Sequence, residues 1–181
     1  MDYKEVRKSF MSLPERAQEI WFQYCEESYK KNDYDNLLFP NIYGFDRYTY
    51  CESPIEVILG FAYDLVLFDE GSPDIFLQPQ YEVSIDGSKF RLDFAFIAED
   101  SELIDFKNND FKLAIECDGH EFHERTKEQV VRDNEREYLL KMDGFEVLRF
   151  SGSQIYNKPF RCARQIYDYI SSRVKGEDVN G

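Results

Sequence analysis

The chain has 181 residues and carries 36 acidic against 22 Lys and Arg side chains, a formal charge of −14. At 43% hydrophobic and 17% aromatic it is too apolar to stay disordered, and a chain of this length can build one core without a disulfide or metal staple. So much acid argues against a passive basic clamp for nucleic acid and against docking on an anionic membrane, but leaves room for a site that recruits divalent cations.

Along the chain, Ser12, Pro14 and Glu15 form a capping box that predicts a first helix starting at Ser12. Ala17, Ile20, Trp21, Tyr24 and Cys25 recur at helical spacing, and the helix should stop near Asn32. Residues 32–50 are tyrosine-rich and irregular; the aromatics from Tyr43 to Tyr50 either stack on bases or pack on the first helices. Ser53 and Pro54 open a second helix whose apolar stripe is Ile55, Ile58, Leu59, Ala62, Tyr63 and Val66. The apolar run Val57 to Phe68 is too short to span a membrane and contains Asp64. Asp69 to Pro73 end the helix.

Strands follow. Ile75 to Ser84 is β-rich, and Pro79 within it implies an edge strand or a bulge. Asp86-Gly87 signals a two-residue hairpin turn. In Lys89 to Ile97, Phe90, Leu92, Phe94 and Phe96 are expected on one face, with Lys89, Arg91, Asp93, Ala95 and Ile97 on the other. Residues 99–110 read as a polar loop, and Phe111 to Cys117 as another strand, broken at Gly119. Residues 127–143 read as a helix with Val131, Tyr138, Leu139 and Met142 towards the core and Gly144 as its stop. A short strand, Glu146 to Phe150, and a helix over 158–174 with Cys162, Ile166, Tyr169 and Ile170 inward complete the order. A hairpin followed by a helical crossover predicts an α/β fold with a mixed sheet and helices on both faces.

Cys25, Cys51, Cys117 and Cys162 are widely spaced without a C-x-x-C pair, as expected of reduced thiols. With no basic and apolar leader at the N-terminus, a cytoplasmic protein is expected.

Alternation places Lys112, Ala114, Glu116 and Asp118 on one face of their strand, with Glu116 and Asp118 ~6.6 Å apart along it. Asp93, mid-strand where Asp is disfavoured, joins them if the two strands pair with that face in common. Three carboxylates would then meet, a donor set suited to Mg²⁺. Glu56 either completes the Ser53 capping box, adds a fourth carboxylate, or does both. His120 and His123 are the two histidines; each is either a bystander in a loop or a general base or metal ligand. A zinc site from Cys117, His120 and His123 is opposed by the direction of Cys117, away from Glu116.

In this order these residues resemble the PD-(D/E)XK restriction-endonuclease-like superfamily. Arg91-Leu92-Asp93-Phe94, then Ile115-Glu116-Cys117-Asp118-Gly119-His120-Glu121-Phe122-His123, are similar to the branch near the very-short-patch-repair endonucleases and a related uncharacterised endonuclease-domain family. Asp133, Arg136, Leu139, Gly144-Phe145 and Val147-Leu148-Arg149-Phe150 extend the likeness, which covers about residues 52–172. The resemblance implies a core ordered α-β-β-β-α-β, with residues 1–51 as an N-terminal helical extension packed on it, 52–175 as the nuclease-like domain and 176–181 as a disordered tail. It implies a metal-dependent endonuclease that hydrolyses DNA with Mg²⁺ or Mn²⁺. Asp93, Glu116 and Glu56 correspond to metal-site acids and His123 to a catalytic histidine, with Asp118 as a further expected metal ligand. Asp118 stands where most members carry a lysine that positions the attacking water and offsets negative charge. Lys112 and Lys89 lie four residues from Glu116 and Asp93, ~13 Å along a strand and too far to substitute. Arg91 or His123 is the expected stand-in. Asp133 and Arg136 are either a surface pair or help fix the site.

The charge is unevenly distributed. Residues 1–118 hold 11 basic and 25 acidic groups, residues 119–175 hold 11 and 9. A nucleic-acid backbone is therefore expected along the last third, at Arg125, Lys127, Arg132 and Arg136, with Lys158, Arg161 and Arg164 nearby. DNA is the expected partner, with no membrane. The competing expectations are an inactive nuclease fold that binds a protein partner or a second copy, and a nuclease directed at RNA or a special DNA structure.

Overall fold

The computed structural model describes residues 10–30, 50–71, 75–98, 111–119 and 126–174. The tyrosine-rich segment, the 99–110 loop, His120, His123, Arg125 and the tail lie outside them. Among the described residues, five helices and four strands run in the order α1 (Glu15–Lys30), α2 (Pro54–Glu70), β1 (Gln78–Ile85), β2 (Ser88–Ile97), β3 (Lys112–Asp118), α3 (Lys127–Met142), β4 (Phe145–Ser151), α4 (Gly152–Asn157) and α5 (Pro159–Val174).

The first helix begins later than expected. The carbonyl of Pro14 accepts from the N–H groups of Ala17 and Gln18 at 2.9 and 3.2 Å, so Pro14 occupies the cap position and Ser12 precedes it by two residues. Ala17, Ile20 and Trp21 of the expected stripe are buried; the side chains of Tyr24 and Cys25 lie outside the described set. The second helix follows expectation. Ser53 is extended and accepts from the Glu56 N–H, Pro54 fills the first turn, and Gly71 at φ 59° closes the other end. Among its buried residues, Tyr63 donates its hydroxyl to the Ile75 carbonyl at 2.8 Å and so fixes the entry to β1.

The sheet order is β1-β2-β3-β4. β1 and β2 are antiparallel across the Asp86-Gly87 turn, where φ values of 48° and 78° match a turn that needs two left-handed residues. β2 and β3 are antiparallel, and β3 and β4 are parallel with α3 as the crossover. Pro79 lies on β1, an edge strand, as its missing N–H requires.

Two apolar layers enclose this mixed sheet. The larger joins α1, α2 and α5 to Phe94, Phe96, Leu113 and Ile115. The smaller joins Ile85, Leu92, Ala95 and Ala114 to Leu140 of α3 and Phe145. Two expectations fail here. Phe90 and Leu92 pack in the smaller layer while Phe94 and Phe96 pack in the larger. The alternation of β2 therefore changes phase at Asp93, and a phase change on a strand sends the residues on its two sides to opposite layers. Opposite Asp93 in the β1 register stands Gln80, which drops out of the ladder between Pro79↔Phe94 and Tyr81↔Leu92. Its φ is 52°, a left-handed conformation that costs a side-chain-bearing residue on the order of 1 kcal/mol or more.

The second failure is the facing of α3. Val131, Tyr138 and Met142 are 64%, 61% and 69% exposed; Leu140 is the helix's buried residue, and of the expected set Leu139 packs, partly buried, against the smaller layer. Arg136 and Leu140 are one turn apart and share the inner face; Tyr138, two residues from each, lies on the far side. The reach of Arg136 into the site, described below, accompanies this rotation.

The last helix forms as α5 over Pro159–Val174, matching the expected 158–174, and a short helix that was not expected, α4, precedes it. A Ser151–Gln154 capping box starts α4 directly at the end of β4. Lys158 then leaves helical geometry at φ −140° because it precedes Pro159, which begins α5. Cys162, Ile166 and Ile170 point inward as expected, and Tyr169 is partly buried.

Candidate active site

Phe94↔Ile115 is the last ladder pair between β2 and β3 on the side of the acids, and the next residues across from each other are Asp93 and Glu116. There the Asp93 carboxylate replaces a strand partner: its Oδ2 accepts the Cys117 N–H at 2.6 Å. On β3, Glu116 is nearly closed off from solvent. Burial pushes Asp93 up to about 6; the Cys117 N–H opposes this, and the Glu56 charge adds to it. Burial likewise pushes Glu116 up to about 7, opposed chiefly by Arg136 and reinforced by Asp93. Of the three acids expected to converge, Asp93 and Glu116 are thus adjacent, and each feels neighbouring carboxylates as like charge; with Asp118 they do not form a three-ligand metal group among the described residues.

The expected lysine position, Asp118, ends β3. Its Oδ1 lies 3.4 Å from Nη1 of Arg149, a β4 residue whose register partner is Glu116. From α3, Arg136 donates to Glu116 Oε1 at 2.7 Å and to the Arg91 carbonyl at 2.8 Å. Two guanidiniums from neighbouring elements therefore supply positive charge beside the acid pair. The other candidates are engaged elsewhere: Lys112 pairs with Asp143 at 2.9 Å and lies over the Phe145 ring, and Arg91 pairs with Glu52.

The fourth acid, Glu56, is buried at the start of α2. Its Oε1 accepts from the Ser53 hydroxyl at 2.6 Å. Its Oε2 accepts from the Glu52 N–H at 2.9 Å and from Gln80 Nε2 at 2.7 Å. The carboxylate thus caps its helix and also stands near Asp93. Sequence reasoning assigned no part to Gln80 or Arg149. The signal for Arg149 is the parallel register, and for Gln80 the break that follows Pro79; both require strand pairing to be known.

The donor set suits a hard divalent cation. Among the described residues, Asp93 Oδ1 and Glu116 Oε2 have no hydrogen-bond partner, while the companion oxygen of each is held in place. A cation taking one oxygen from each would relieve the burial of two carboxylates. Among the described residues no three His, Cys, Asp or Glu side chains form a ready-made metal group. Mg²⁺ needs no such group, since it keeps waters and substrate oxygens and takes one or two carboxylates. A zinc site through Cys117 fits poorly: the side chain packs on the larger core, and burial raises its thiol well above the usual range. Among the described residues, Cys51, Cys117 and Cys162 form no disulfide.

Lys127 and Arg132 are exposed on α3, while Arg136 is turned inward to Glu116. Arg164 pairs with Glu70, and Lys158 and Arg161 are exposed. Among the described residues, no helix is long and apolar enough to cross a membrane.

Comparison with the curated proteins and with the solved structures finds no match. Residues 74–170 match the family described as REase_MTES_1575, a restriction-endonuclease-like family. The match takes in Gln80, Asp93, Glu116, Asp118, Arg136 and Arg149, and begins after Glu56. Spanning more than half of the chain and coinciding with a four-stranded mixed sheet between helices, it places this protein in that restriction-endonuclease-like family, within the PD-(D/E)XK-like superfamily.

Proposed function

We propose that the chain is a metal-dependent endonuclease that hydrolyses DNA phosphodiester bonds. One observation supports this reading most: Asp93 and Glu116 face each other where β2 and β3 part, Glu116 buried and Asp93 half-buried, each with one oxygen held and one unclaimed among the described residues. These two residues would hold Mg²⁺ or Mn²⁺, with Glu56 or Asp118 as a further contributor. When bound, the ion supplies an activated water and neutralises charge on the scissile phosphate. The Cys117 N–H fixes the rotamer of Asp93, and Arg136 fixes that of Glu116. Arg136 and Arg149 would provide the positive charge that a lysine supplies in most of the superfamily. His123, following the likeness to the very-short-patch-repair branch, serves as base or as acid for the leaving group. Lys127 and Arg132, with Arg125, carry the nucleic-acid backbone past the site.

The test is cleavage of plasmid and linear DNA by the purified chain with Mg²⁺ or Mn²⁺. Wild type should nick or cut, and Asp93→Asn should not; equal activity of the two rejects the proposal. Substituting RNA in the same assay separates a ribonuclease from a deoxyribonuclease. A second reading, a nuclease fold that has lost catalysis and binds a protein partner or a second copy, is favoured by Asp118 at the lysine position and by the arginines already paired with Glu116 and Asp118. Calorimetry with millimolar Mn²⁺ decides: heat of binding supports the nuclease, and none supports the second reading.

A further inference from the structure

Gln80 combines three features. It holds a left-handed conformation, φ 52°, within a strand of side-chain-bearing residues. It drops out of the β1–β2 ladder at the place opposite Asp93, although register is kept on both sides. Its Nε2 donates to Glu56 Oε2 at 2.7 Å. A glycine would meet the backbone requirement without strain, so the conformation alone does not call for a glutamine. The amide is what a glycine would lose. Strain at a position the surroundings hold fixed points from the outlier to a role at a neighbouring site.

We propose that Gln80 is a positioning residue that holds Glu56 in place beside the Asp93–Glu116 pair. This rests on the metal-site reading above. The chemistry of the residue fits. Glu56 and Asp93 repel each other, and an amide donor restrains Glu56 without adding charge, so the negative field that attracts a divalent cation is preserved. A lysine or arginine at 80 would cancel that field. The left-handed turn at 80 lifts the side chain out of the pleat of β1 and turns it to the start of α2, where Glu56 lies.

The full chain is titrated with Mn²⁺ by calorimetry as wild type, Gln80→Gly, Gln80→Ala, Glu56→Gln and the double variant Gln80→Gly/Glu56→Gln, with thermal midpoints recorded without metal. Gln80→Gly and Gln80→Ala are both expected to remain folded and to weaken Mn²⁺ by about 10- to 100-fold, the range for residues that orient a ligand. Gln80→Gly should melt above Gln80→Ala, because glycine tolerates the left-handed turn. In the Glu56→Gln background, Gln80→Gly should change Mn²⁺ affinity no further, since it acts through Glu56. If wild type binds Mn²⁺ and Gln80→Gly binds it equally well, this inference fails and the metal site stands. Fully additive losses also reject it, because Gln80 would then act apart from Glu56. If wild type itself binds no Mn²⁺, the metal-site reading fails and takes the inference with it.

Discussion

On one side of the sheet, α2 and α5 bury an unbroken apolar layer that includes Leu59, Leu65, Leu113, Ile115, Ile166 and Ile170, all closed to solvent. On the other side, α3 contributes Leu140 and little else, and the same helix spends Arg136 on Glu116. Each fully buried aliphatic side chain contributes roughly 1.5–3 kcal/mol, so the first side alone can stabilise a fold of this size. The thin side can then hold buried carboxylates that an evenly covered sheet would exclude. Apart from Glu56 at the start of α2, stability and the charged groups lie on opposite sides of the sheet, and Asp93 sits where β2 passes from one to the other.

The largest test of this division is Asp93→Asn. DNA cleavage should fall about 10³-fold, since a bound ion contributes several kcal/mol at about 1.4 kcal/mol per tenfold. The thermal midpoint at pH 8 should not fall, because the substitution removes a buried charge and keeps an acceptor for the Cys117 N–H. A drop in stability would mean that the charged side also supports the fold. Next, Leu113→Ala in the thick layer should lose roughly 2–5 kcal/mol in denaturant unfolding. Tyr138→Ser on the outer face of α3 should stay within about 0.5 kcal/mol. Similar values for the two would erase the contrast.

The pH dependence is specific to the charged side. Asp93 and Glu116 are raised to about 6 and about 7, above their values in an unfolded chain. The stability they contribute is complete below about pH 4 and is lost as pH rises through 6 and 7, on the order of a few kcal/mol. Melting without divalent metal should therefore shift to lower temperature between pH 5.5 and pH 8, taken as a range of roughly two to three units around these values. A flat profile would contradict the burial of the pair. A modest loss is expected of Ser53→Ala, which removes both the α2 cap and a donor to Glu56. It should cost about 1 kcal/mol of stability, measured by denaturant unfolding.

Much of this was legible from the residues in order. Ser53-Pro54 and Gly71 bound α2, and Asp86-Gly87 turns the hairpin, because caps and two-residue turns are local chemistry. Alternation put Asp93 and Glu116 on a common face, and the β2–β3 register sets them side by side. What alternation could not contain was its own interruption: Leu92 and Phe94 go to different layers because Gln80, on another strand, is out of line. For α3, apolar residues lie on more than one side, and the choice of inner face goes with a charge on β3 that the helix pattern does not include. Arg149 matters through a parallel pairing that no local pattern encodes.

The interruption at Pro79 and Gln80 has a consequence for how copies of the chain meet. β1 is an edge of the sheet, and an edge strand is a template on which a second chain can extend the sheet without limit. Here the template is blemished near its start: Pro79 has no N–H to offer, and Gln80 is turned out of the extended line. A foreign strand aligning with β1 would meet a gap and a twist within its first residues. The distortion that serves one carboxylate also discourages aggregation along the open edge.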